Sequence, residues 1–247
     1  MLGSASSSLN NDSQELLLTN ARLVSMVAGS QGYSVSEPSS LLIKGGKIAQ
    51  IGGSELSCAN SYDCKNQLVT PGFVDCHTHL VYAGNRANEF EMRLNGIPYP
   101  EIAKQGGGIL STVRATREAS EEALINLALP RLDGLIRTGV TSVEVKSGYG
   151  LTVKDEIKML RAAKALEDHR KIRITTTLLA AHALPPEYAG KADDYIKLVC
   201  EEMIPLVAEE KLATSVDVFC ESIGFNLEQT EKVFAAAKQY GLHVKGH

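Results

Sequence analysis

An α/β fold whose parallel sheet closes toward a barrel, preceded by an all-β segment, follows from three features of the sequence. The pattern of apolar residues changes character at Pro71-Gly72. Beyond that point five apolar, strand-like runs alternate with stretches of helical periodicity, the order of a parallel sheet with helical crossovers. A polar residue with chemical capacity then follows each run: His77 and His79 the first, Tyr149 the second, His182 the third and Glu221 the fourth, while His247 ends the fifth. A barrel assembles its site from several strand ends, whereas a doubly wound sheet concentrates it at one switch point, so the barrel is the expectation.

The elements are legible one by one. Leu16 to Val24 is an apolar run of strand length, and Leu41 to Ile51 is two short strands around Gly45-Gly46, a hairpin signal. A turn-rich stretch with Asn60, Asp63 and Asn66 leads to Pro71. The barrel strands are expected at Phe73 to Cys76, Val140 to Val145, Ile172 to Ala181, Val216 to Cys220, and from Leu242 onward. Between them Ile196, Val199, Met203 and Leu206 recur at three- and four-residue steps and form one buried helical stripe. Asn226 with Gln229 has the spacing of a capping box, and Gly241 stands where a C′ residue belongs. Thr152 with Asp155 is a weaker start signal. Pro130 and Pro205 fall inside helical stretches and predict kinks or breaks. The expected division is a disordered or tag-like segment at 1–15, a β segment at 16–70 and the barrel at 71–247.

Composition narrows the class. The 247 residues are 44% hydrophobic and 22% charged, which excludes collagen-like, low-complexity and disordered chains. Twenty-nine acids against 25 bases give a net charge of −4, too mild to indicate a nucleic-acid or membrane-surface partner, and neither is expected. The first fourteen residues have no basic start and no apolar stretch, so they read as neither a signal peptide nor an anchor. No apolar run approaches the ~18 residues of a spanning helix. Five cysteines without CxxC spacing suit reduced thiols in a cytoplasmic protein.

The strongest chemical signal is Asp75-Cys76-His77-Thr78-His79. Residues two apart on a strand share a face, so both imidazoles reach one ion. The competing account, two histidines that alternate by chance, is weakened by their place at a strand end after a Pro-Gly turn. His182, in the apolar run Ala180 to Leu184, would by itself read as a core histidine; its strand-end position favours function. His247 invites a third-ligand reading, while His169 and His243 read as structural. Gln105-Gly106-Gly107-Gly108-Ile109 lacks the Lys-Ser/Thr ending of a phosphate loop and reads instead as a loop needing positive φ or close approach. In the tight turn Ser147-Gly148-Tyr149-Gly150, Tyr149 either faces the pocket or packs. Arg86 lies in a Gly/Asn-rich loop, where its guanidinium suits a carboxylate or is simply solvated.

Pro71-Gly72-Phe73-Val74-Asp75-Cys76-His77-Thr78-His79-Leu80 resembles the strand-one signature of the metal-dependent amidohydrolase superfamily. Four further segments are more specific. They are Gly84-Asn85-Arg86 with Glu89-Phe90; Gln105 to Ile109; Glu144-Val145-Lys146-Ser147-Gly148-Tyr149-Gly150-Leu151; and Asp217-Val218-Phe219-Cys220-Glu221. Together they resemble the imidazolonepropionase family across residues 16–247.

The resemblance implies a (β/α)8 TIM-like amidohydrolase barrel with a small β-sandwich built from both chain ends, of which residues 16–70 are the N-terminal part. It implies His77, His79 and His247 as metal ligands, and Arg86, Tyr149 and His182 as substrate-binding residues. Only the first five barrel strands are expected in this chain, which reads as truncated after strand five. The family's final metal ligand, an aspartate ending strand eight, has no counterpart, and neither does the acidic or amide residue expected three positions past His247. The implied activity is hydrolysis of the cyclic amide of 4-imidazolone-5-propanoate to N-formimidoyl-L-glutamate, in histidine degradation, by a metal-activated water. His182 is the catalytic candidate, as donor to the oxyanion, and Arg86 with Tyr149 would hold the propionate carboxylate of this small-molecule substrate. One divalent or trivalent ion is expected, zinc ahead of iron, because strand four ends in Cys220-Glu221 with no lysine to bridge two ions. A homodimer is implied by the resemblance alone. Two other accounts compete: another cyclic-amide amidohydrolase or deaminase, which the carboxylate-suited Arg86 and Tyr149 disfavour, and a non-catalytic fragment without the complete metal set.

Overall fold

The structure, a computed structural model, describes residues 15–29, 32–53, 56–98, 101 and 107–247. Nearly all of the segment expected to be disordered or tag-like, and Gln105-Gly106 of the glycine run, lie outside the described residues. The chain divides into two compact units, Met1–Pro71 and Gly72–His247.

The first unit is a mixed sheet centred on β1 (Glu15–Leu23). Its buried Ala21 and Leu23, two positions apart, share the face that packs on Leu41 and Cys64, and the half-buried Leu18 joins them across the irregularity at Asn20. β2 (Ser39–Lys44) runs antiparallel to β1 and turns into β3 (Lys47–Ile51) through Gly45 and Gly46. Both glycines have positive φ, 56° and 69°, the combination a type I′ hairpin turn requires and that side chains resist. β4 (Ser61–Asp63) and β5 (Leu68–Val69) both pair parallel with β1. The described residues make one sheet here; a second layer of a sandwich is not among them.

The second unit contains five parallel strands: β6 (Phe73–Thr78), β7 (Val140–Lys146), β8 (Arg173–Ala181), β9 (Ser215–Val218) and β10 (His243–Gly246). Their order across the sheet, β10-β9-β8-β7-β6, is their order in the chain. No reversal exists among them, so the switch point that defines a doubly wound sheet is missing from this sheet. The sheet is also strongly curled. In a flat sheet the edge strands β6 and β10 would stand four inter-strand steps apart, about 19 Å. The rings of His77, on β6, and His247, just beyond β10, are 4.5 Å apart between centroids. The two edges therefore turn toward each other across the concave face.

The helices follow from their caps and stripes. α1 (Ala87–Leu94) and α2 (Ile109–Glu118) occupy the long connection after β6. α3 (Glu121–Arg137) is capped by the Ser120 side chain, which accepts from the Ala123 N–H, and α4 (Val153–His169) by Thr152, which accepts from Asp155. Leu124, Ala128 and Leu132 of α3 and Met159, Ala163 and Leu166 of α4 pack with Val140, Val143 and Val145 of β7. The stripe predicted at 196–206 spans α5 (Ala192–Leu198), a π-helical segment (Val199–Met203) and α6 (Ile204–Glu209), and its Ile196, Val199 and Met203 are buried. α7 (Leu227–Gln239) begins with the full reciprocal capping box, and Gly241 follows at φ 71°.

One expectation needs correction. Pro130 does not break α3, because it removes a single N–H while Leu124, Ala128 and Leu132, all at 0% exposure, clamp the helix on both sides of it. At Pro205 the expected interruption is present: α-helix gives way to the π turns of Val199–Met203, and Pro205 stands in the first turn of α6, where its missing N–H is tolerated. Pro71-Gly72 has a clear steric reason: a Cβ on Gly72 would stand 2.1 Å from Thr141 Oγ1, so only glycine lets β6 start against β7.

Because both halves of the α7 capping box are made, Asn226→Ala is expected to cost about 1 kcal/mol in urea-induced unfolding.

Candidate metal centre

The curl brings the predicted histidines together. His77 and His79 share the face of β6 and its continuation, and His247 enters from beyond β10. Each offers a nitrogen, and these three atoms lie within 4.8 Å of one another. Burial, reinforced by the neighbouring His182, His247, His77 and Lys146, pushes the His79 pKa down to about 3. Burial, then the Lys146 charge, also lowers that of His77. Desolvation thus keeps these rings in the neutral form that binds cations. The Nδ1 atom of His79 is buried and has no hydrogen-bond partner. A buried, unpartnered imidazole nitrogen on a ring 5.6 and 5.3 Å from those of His77 and His247 fits a divalent cation, and three imidazole donors leave a position open for a non-protein ligand.

His182 completes the ring of imidazoles, 5.2 Å from His79 and 5.6 Å from His247 between centroids. Its Nδ1 lies 2.9 Å from the carbonyl oxygen of Gly148. A carbonyl only accepts, so Nδ1 carries the proton, and in the neutral ring Nε2 carries a lone pair. Burial lowers the His182 pKa, which favours that neutral ring.

Tyr149 faces the same space, 5.7 Å from His79 and 5.4 Å from His182. Burial, with Tyr82 nearby, raises its phenol pKa, while the charge of Arg86 acts in the opposite sense. The turn that presents it is organised by Glu156 from the start of α4. This fully buried carboxylate accepts the backbone N–H groups of Gly148, Gly150 and Leu151 at 3.0, 2.8 and 2.8 Å. Gly148, at φ 108°, has no room for a side chain, since a Cβ would meet His182 Nδ1 at 2.8 Å and Leu179 O at 2.9 Å. The Gly150 position is tighter still, with Glu156 N at 2.5 Å.

Arg86 lies at the N-cap of α1, partly exposed, and its Nε donates to Glu89 Oε2 at 2.7 Å. The other oxygen of Glu89 accepts the Gly108 N–H, so one carboxylate ties the arginine to the glycine loop. Gly108 has φ 75°, the conformation expected of that loop. Glu221 does not join the cluster. β9 ends at Val218, and Glu221 is exposed with its carboxylate on the Ser222 N–H.

The fourth strand contributes through Asp217 instead. Its Oδ2 lies 3.1 Å from His247 Nδ1 and 2.8 Å from Lys146 Nζ. Lys146 also reaches Glu144, which Thr177 and Lys245 approach as well. Sequence reasoning passed over this buried group, although its signal was present. Glu144, Lys146 and Asp217 are charges set at alternate positions in otherwise apolar runs of strands buried on both faces.

No family model matches the chain. Curated sequences do. The imidazolonepropionase of Vibrio parahaemolyticus is 68% identical over 94% of this chain and 59% of its own length. That of Vibrio cholerae is 70% identical over 94% and 58%, and that of Photobacterium profundum 56% over 94% and 60%. The chain is similar to imidazolonepropionases. It spans about 59% of the length of the V. parahaemolyticus relative. Among solved structures, a 5-methylcytosine deaminase from Klebsiella pneumoniae superposes with a TM-score of 0.63 at 19% identity, covering 94% of this chain and 50% of that one. A triazine hydrolase from Arthrobacter aurescens gives 0.58 at 17%, covering 94% and 52%. At such identities these two likenesses speak to the fold, an amidohydrolase-like α/β arrangement around a curled parallel sheet. No helix among the described residues is long and apolar enough to cross a membrane.

Gly148→Ala is expected to destabilise the unit by at least ~2 kcal/mol in thermal or urea unfolding, because it combines a positive φ with a clash against His182.

Proposed function

We propose that the Gly72–His247 unit carries the metal-binding and substrate-binding residues of an imidazolonepropionase, opening the ring of 4-imidazolone-5-propanoate by hydrolysis to N-formimidoyl-L-glutamate. The observation that carries the reading is the convergence of His77, His79 and His247 within 4.8 Å, from strands at opposite edges of the sheet. The identity of 68–70% to imidazolonepropionases supports it. The sequential, curled order of β6 to β10 supports a further expectation, that these strands are the first five of a (β/α)8 barrel and the β unit part of a sandwich.

His77, His79 and His247 would hold one ion, zinc ahead of iron on the preference of a three-imidazole set. When bound, such an ion lowers the pKa of coordinated water to ~7 and polarises a carbonyl. The remaining work falls to the chain. His182, with Nδ1 committed to Gly148, presents Nε2 as a proton acceptor. Once protonated there, it becomes the donor that a developing oxyanion or a leaving nitrogen needs. Tyr149, held by the Glu156-anchored turn, donates a hydrogen bond from its phenol to the substrate carboxylate, and Arg86 supplies the opposing charge. Fixing the propionate arm at one end fixes the ring at the other, which limits the orientations available to the reacting carbonyl. A homodimer working in the cytoplasm completes the proposal, on the resemblance alone.

Zinc titrated into the 247-residue chain is expected to bind one equivalent, and His79→Ala to abolish that binding in calorimetry. A longer zinc-loaded protein that contains this chain is expected to consume imidazolonepropionate, followed as loss of its ultraviolet absorbance; a loaded protein of that kind that leaves the compound intact overturns the reading. In the same assay Arg86→Ala should mainly raise KM, by roughly 10-fold or more for a lost charge-assisted contact.

A further inference from the structure

Behind the histidines four charged side chains meet inside the curled sheet, and the chemistry above uses none of them. Lys146 lies between two carboxylates, its Nζ 3.1 Å from Glu144 Oε1 and 2.8 Å from Asp217 Oδ2, and all three residues are buried. Lys245 reaches the same Glu144 oxygen, which also accepts from the Thr177 hydroxyl. Two negative and two positive charges therefore cancel locally.

From this group Asp217 alone contacts a histidine of the cluster. Its side chain is 0% exposed, its Oδ1 accepts the Val218 N–H at 2.8 Å, and its Oδ2 lies 3.1 Å from His247 Nδ1. A carboxylate held in an ion pair with an ammonium is an acceptor only, so the imidazole nitrogen that faces it must carry the proton. The other nitrogen is then left with its lone pair. We propose that Asp217, pinned by Lys146, is a positioning residue that fixes His247 in the Nδ1–H tautomer and leaves its Nε2 lone pair for the ion shared with His77 and His79. The consequence for metal affinity rests on the reading of these histidines as ligands; the tautomer itself is a property of the metal-free chain.

Heteronuclear correlation spectra of the metal-free, isotope-labelled chain read the tautomer directly. They are taken at pH ~8, where an ordinary imidazole of pKa ~6.5 is neutral. The His247 signals are assigned by their loss in His247→Gln. The expected wild-type result is a proton on Nδ1. Asp217→Asn combined with Lys146→Met removes one charge of each sign and keeps the remaining group neutral. In that variant His247 is expected to exchange between tautomers, and zinc affinity to fall 10- to 100-fold, the loss typical when the partner of a metal-binding histidine is removed.

A wild-type His247 protonated on Nε2, or a Nδ1–H tautomer that persists in the double variant, overturns the proposal. The wild-type spectrum suffices if the double variant fails to fold. A wild-type chain that shows the Nδ1–H tautomer and binds no zinc upholds the role of Asp217 and defeats the metal reading instead.

Discussion

Parallel strands in sequential order impose the constraint from which the site follows. Each of β6 to β9 must return to its starting side through a crossover before the next strand begins, so all five C-terminal ends lie on one rim. The curl then converts a row of strand ends into a ring. Without it His77 and His247 would be separated by the full width of the sheet; with it their rings are in van der Waals range. The same geometry explains why the interior of the curl carries charge. Strands β7 and β9 are covered on the outside by helices, and their inward positions Glu144, Lys146 and Asp217 have no route to bulk water.

Such a group is stable only as a set. Burying one carboxylate alone costs several kcal/mol, whereas a neutral, hydrogen-bonded array recovers much of that penalty. Lys146 serves both acids, and Lys245 adds the second positive charge from β10. The array therefore links β7, β9 and β10 and, through Thr177, β8, the strands that lead to Tyr149, His182 and His247 among them. It favours one register of those strands, because a one-residue slip would turn every charge outward against the helices.

Much of this was readable from residues alone. Strand alternation, the Gly45-Gly46 hairpin, the Asn226 capping box and the His77/His79 pair are local signals, each decided within a few positions, and each is found where the sequence places it. What escaped was of two kinds. The local rule for proline fails at Pro130, where packing around Leu124, Ala128 and Leu132 carries the helix through. Asp217, rather than Glu221, is the fourth strand's contribution because β9 ends two residues before Cys220, and where a parallel strand stops depends on its neighbours. The Lys146 to Asp217 contact joins residues far apart in the chain, and no local pattern announces it.

Glu156 has an implication for how the site comes into being. Its carboxylate belongs to the first turn of α4, yet it closes around backbone groups that precede the helix. The loop bearing Tyr149 and the Gly148 carbonyl beside His182 therefore has partners for three of its backbone N–H groups only when α4 is formed and docked. Assembly of the chemical rim is thereby tied to the cooperative folding of the β7-α4-β8 crossover. A partly folded chain would carry the histidines without the geometry that gathers them.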